Sequence, residues 1–144
     1  MRLDGPDASL AKGAQRLLSL DFVYLPIEDV DEAAADYVKL LEGELLWRVR
    51  GLGTTVACVR LPGEGPLMLL SGHLEGATPI LIYRVADYAA AVERLRAAGA
   101  SDLRELEIPQ GPCASFQLPS GQRFAVYELV RPGVDRHFEG RFDA

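Results

Sequence analysis

Cysteine, histidine and methionine are scarce, with two of each in 144 residues. Two cysteines build no disulfide framework, and with two histidines they make no structural zinc site. Basic residues are in deficit as well: 15 Lys and Arg stand against 21 Asp and Glu, a net charge of −6. That balance lacks the basic footprint of nucleic-acid binding and argues against an anionic membrane surface as partner. No apolar run approaches the roughly 20 residues of a membrane-spanning helix. Met1–Asp7 holds nothing like the apolar stretch of a signal peptide, so the expected location is the cytoplasm, with both thiols reduced. A phosphate loop is missing too, because Gly51-Leu52-Gly53 links two strand-like runs and opens no helix. His73 and His137 have no ligand partner near them in sequence, and neither does Cys113, which has no adjacent base to activate it. Cys58 lies in an apolar run and reads as a small buried hydrophobe.

What is present is an ordinary soluble composition, 49% hydrophobic and 25% charged, at a length that suits one domain. Residues 1–16 read as a loose arm. From Leu17 to Leu25 runs an apolar, strand-favouring segment stopped by Pro26. Asp29 then offers an N-cap, with Glu32 at the capping-box position. Val30, Ala33, Ala34, Tyr37, Leu40 and Leu41 follow at helical spacing as one apolar stripe, and Gly43 is the expected stop. Three short strands come next, Leu45–Arg50, Thr54–Leu61 and Leu67–Ser71, separated by Gly- and Pro-containing turns. Residues 72–78 read as a linker.

The order then repeats. Pro79–Val85 is a strand and Asp87 a helix cap. Val85, Tyr88, Val92 and Leu95 mark a helical stripe, and Gly99 takes the place of Gly43. Strands follow at Leu103–Ile108, Cys113–Leu118 and Arg123–Val130. The charged tail, residues 133–144, is expected to pack over the outside as a short helix or loop. The chain is thus two βαβββ units, 17–72 and 78–132, in an α+β fold. One helix covers one face of each four-stranded sheet. The two uncovered faces, shared, make cupped mixed sheets around a cleft with the helices outside.

Three segments, 22–45 (FVYLPIEDVDEAAADYVKLLEGEL), 80–100 (ILIYRVADYAAAVERLRAAGA) and 111–132 (GPCASFQLPSGQRFAVYELVRP), carry a resemblance to the vicinal oxygen chelate superfamily of glyoxalases, extradiol dioxygenases and bleomycin-binding proteins. The resemblance implies metal-ligand positions on the first and last strands of each unit. They fall on Phe22, on Ile80, on Ala125, and within Leu67–Leu70. None of these side chains binds a hard cation, so no metal and no other cofactor is expected. A register shift would bring Asp21 into place, and a bulged last strand would bring Glu128, which leaves a metal-dependent lyase, isomerase or dioxygenase as the alternative.

Alternation along the strands then fixes the inward face that the resemblance implies. Tyr24 follows from Phe22, Ile82 and Arg84 from Ile80, and Arg123 and Tyr127 from Ala125. The fourth strand supplies either Met68 and Leu70 or Leu67 and Leu69, with the first pair preferred. Trp47 comes from a neighbouring strand. Such a lining suits a hydrophobic or aromatic small molecule, with Arg84 available to one polar group. The function expected is metal-independent small-molecule binding in a homodimer. An interaction module with a filled, vestigial cleft is the further alternative.

Overall fold

The computed structural model describes residues 16–51, 53–72 and 78–143. The expected N-terminal arm up to residue 15, most of the linker and His73 lie outside them. Eight strands form one mixed sheet: β1 (Ser19–Pro26), β2 (Glu44–Gly51), β3 (Thr54–Arg60), β4 (Leu67–Ser71), β5 (Ile80–Arg84), β6 (Ser101–Ile108), β7 (Gly111–Gln117) and β8 (Arg123–Tyr127). Their order is β2-β3-β4-β1-β5-β8-β7-β6. The two halves are therefore matched. β1 pairs parallel with β4, β5 pairs parallel with β8, and β1 and β5 run antiparallel where the halves meet.

Two helices, α1 (Val30–Leu41) and α2 (Tyr88–Ala97), lie on one face of this sheet. Both start where the sequence places them. Asp29 accepts the Glu32 N–H at 3.0 Å and Asp87 the Ala90 N–H at 3.0 Å, satisfying donors with no partner inside the helix. α2 stops at Gly99, which takes φ +86°. α1 stops differently from expectation: Glu42, not Gly43, adopts the left-handed conformation. Gly43 serves a close approach instead, since an added Cβ would lie 2.8 Å from Val59 Cγ1. The α1 stripe is also shorter than its spacing implies. Val30 and Ala34 are buried with Ala57, Val59 and Leu70, whereas Leu40 at the last turn is 70% exposed.

Beneath α2, Val85, Ala91, Val92, Ala114, Phe116 and Val126 form a second core. The opposite face of the sheet carries a third, Phe22, Ile80, Ile82, Cys113, Ala125 and Tyr127. This face has no α-helix over it. The tail packs over it in part, as a short helix and a loop. After β8 the chain turns through a short 3-10 helix, Val134–His137, and reaches the far edge of the sheet at β2. There Gly140 N–H donates to Leu46 O at 2.9 Å, and Arg48 N–H to Arg141 O at 2.8 Å.

Candidate functional site

A cavity of about 260 Å3 lies between the uncovered face and the tail. Its floor is Phe22 and Tyr24 of β1, Leu69 of β4 and Ile82 of β5. Trp47 and Val49 of β2 and Val56 of β3 make one wall. The opposite wall is the β6–β7 hairpin tip, Ile108, Pro109 and Gln110, and Phe138 of the tail lines it as well. No charged side chain is among these. Trp47 and Phe138 pack in a tilted arrangement, with ring centroids 5.3 Å apart and planes at 40°.

Local backbone irregularities aim these side chains. Strict alternation would put Leu45 and Trp47 on one face, yet Leu45 packs under α1 and Trp47 faces the cavity. A register shift between them changes the face. A second shift in β1, between Leu20 and Phe22, sets Asp21 out of the β1–β5 ladder. Asp21 then accepts hydrogen bonds from Ser19 Oγ at 2.6 Å and from the Tyr127 hydroxyl.

Of the ten ligand-binding residues expected from the sequence, the structure brings Phe22, Tyr24, Trp47 and Ile82 to the cavity wall. Ile80, Ala125 and Tyr127 share the face but lie buried within its core. Tyr127 packs its ring against Phe22 at 5.8 Å. Met68 and Leu70 require correction: both point toward α1. The pairing Phe22↔Leu67 and Tyr24↔Leu69 gives the cleft face of β4 to Leu67 and Leu69 instead. Arg84 also stays off the cavity wall, two residues beyond Ile82, opposite Ser19 and Tyr127. Its Nε is buried and has no hydrogen-bond partner among the described residues. Sequence reasoning missed Val49, Val56, Ile108, Pro109, Gln110 and Phe138. Val49 follows Trp47 by the two-residue period, which would have found it; nothing local marked Phe138.

The reactive groups are engaged elsewhere. Glu128 accepts the Tyr88 N–H at 2.8 Å, at the start of α2 on the helix side of the sheet. It therefore does not converge with Asp21. Cys113 is buried in the cleft-side core, and burial pushes its thiol up to about 12. His137 is exposed in the tail.

This architecture can be placed among solved structures. A methylmalonyl-CoA epimerase from Mycobacterium tuberculosis superimposes with a TM-score of 0.61 at 21% identity, over 78% of this chain and 88% of the other. A second methylmalonyl-CoA epimerase gives 0.60 at 15% identity, over 80% and 97%. A glyoxalase/bleomycin resistance protein/dioxygenase superfamily member from Vibrio splendidus gives 0.56 at 16%, over 74% and 95%. The chain has the vicinal oxygen chelate fold. No family model matches the sequence, and no curated protein matches it.

Within the vicinal oxygen chelate fold, the donor set does not fit a divalent ion at the positions implied above. Phe22, Ile80, Ala125 and the cleft-side Leu67 and Leu69 present carbon where oxygen or imidazole is needed. Among the described residues no three His, Cys, Asp or Glu side chains form a group that could hold a metal. No helix among the described residues is long and apolar enough to cross a membrane.

Proposed function

We propose that this chain is a cytoplasmic protein that binds a small apolar or aromatic compound in the cavity without a metal ion. One observation carries the reading: the wall consists of aliphatic and aromatic side chains with Gln110 as the polar exception, and it holds no charged group. Burying an ionised ligand group there would leave it unpaired, which is costly, so the ligand is neutral. Flat rings match the faces and edges that Phe22, Tyr24, Trp47 and Phe138 offer. The open volume favours binding over the vestigial-cleft alternative, which requires side chains to fill the space.

In the homodimer expected from the sequence, β6 is the edge strand left for pairing, because the tail already occupies part of β2. The binding reading is tested by titrating coumarin, a neutral two-ring compound, against the emission of Trp47, the only tryptophan. Saturable quenching with one site per chain is expected, unchanged after exhaustive treatment with a chelator. An absence of quenching by any neutral aromatic compound sinks the reading. Binding that disappears with the chelator and returns with added metal sinks its metal-independent part.

A further inference from the structure

The tail is anchored at both ends, to the β6–β7 hairpin tip and to β2, and it carries one ring to the cavity between them. At the near end, Val130 N–H and Arg131 N–H donate to Gln110 O at 3.0 and 3.1 Å. The Arg131 guanidinium donates to Pro109 O at 2.6 Å and Ile108 O at 2.8 Å, and it pairs with Glu107. The tail is thereby fastened to the hairpin tip that forms one cavity wall. At the far end, Asp143 binds β2 through several bonds. Its N–H donates to Arg48 O at 2.9 Å, its backbone O accepts from Arg48 Nε at 3.0 Å, and its carboxylate accepts the Arg50 N–H at 2.9 Å. Arg141 pairs with the same carboxylate at 2.9 Å. Between these anchors Arg136, His137 and Glu139 are exposed, and among the described residues of the tail Phe138 alone lines the cavity.

We propose that Phe138, held across the cleft by this doubly anchored strap, sets the upper size of the ligand: the site admits neutral compounds of one or two fused rings and rejects larger ones. The inference rests on the binding reading above and adds the size limit and the residue that imposes it. At about 260 Å3 the cavity lies below the ~300–1,000 Å3 typical of sites for drug-sized ligands. The sheet floor cannot give way, because its side chains are packed on strands paired on both sides. Phe138, set against Trp47 by the strap, is the tail residue on the cavity among the described residues, so the limit on that side lies with its ring.

Equilibrium dialysis of coumarin and of pyrene, a neutral four-ring compound, against the full chain tests this. The wild type should bind coumarin at least tenfold tighter than pyrene. Phe138→Ala removes the ring and should narrow that ratio at least tenfold, through gained pyrene binding. Asp143→Ala keeps the ring but loosens the far anchor, and it should move the ratio in the same direction; it also serves as the independent variant should Phe138→Ala fail to fold. Equal binding of the two compounds by the wild type overturns the size filter, as does an unchanged ratio in both variants, while coumarin binding itself stands. If neither compound binds any of the three proteins, the binding reading falls and the filter with it.

Discussion

Asp21, Cys113 and Arg84 are three side chains of the cleft-facing strands with chemistry to offer, and their neighbours decide whether it is available. Asp21 is taken up by the hydroxyls of Ser19 and Tyr127. Arg84 sits beside that cluster with a buried Nε that has no partner among the described residues. Cys113 is 3% exposed in an apolar core, where the thiolate loses its hydration and gains no counter-charge. Its folded-state value near 12 lies above the ordinary 9.0. The thiol therefore stays neutral at working pH, and its burial lowers stability only as pH climbs from about 9 toward about 12, where the unfolded chain ionises first. Iodoacetamide at pH 8 should leave Cys113 unmodified in the folded protein and alkylate it in urea, as read by peptide mass spectrometry. Rapid alkylation in the native state would show an accessible thiolate and reopen the nucleophile role.

At the scale of elements, the β6–β7 hairpin is fixed where it must be to form a cavity wall. Gly111 opens β7, and a Cβ there would collide with the backbone oxygen of Glu128. Gly111→Ala forces the hairpin and the end of β8 apart. It should cost roughly 1–3 kcal/mol, the range for overpacking, as a lower urea midpoint with unchanged slope. Gly65→Ala, with nothing within 4 Å of its Cβ, should shift stability by less than about 1 kcal/mol. Equal effects would mean that the close approach at Gly111 is not a constraint.

Which elements could be read from the sequence follows from how local their causes are. The helix starts at Asp29 and Asp87 are written within three residues, and Gly99 is a one-residue stop. The faces of β4 are not legible in this way. Leu67-Met-Leu-Leu70 is apolar on both sides because α1 covers one and the cleft the other, which erases the two-residue period. The face change before Trp47 and the displaced Asp21 come from register shifts, which depend on partner strands. Phe138 was invisible because its partner, Trp47, is remote in sequence and the tail carries no strand or helix pattern pointing to β2.

At the scale of the molecule, the cavity is shared property. Trp47, Val49 and Val56 come from the first half, Ile82 and the hairpin tip from the second, and Phe138 from the tail. No half retains the site when the other unfolds, so ligand binding couples the whole chain. A ligand bound only by the folded state stabilises it by RT ln(1 + [L]/Kd), about 2.7 kcal/mol at a free concentration 100 times Kd. For a chain of this size each kcal/mol moves Tm by roughly 2–4 °C, so coumarin at that level should raise Tm by about 5–10 °C. Calorimetry should show one transition moving as a unit, since β1–β5 pairing joins the halves at the centre and the tail ties β8 to β2 at the rim. Two transitions, with only one displaced by ligand, would assign the cavity to a single half and contradict the shared wall.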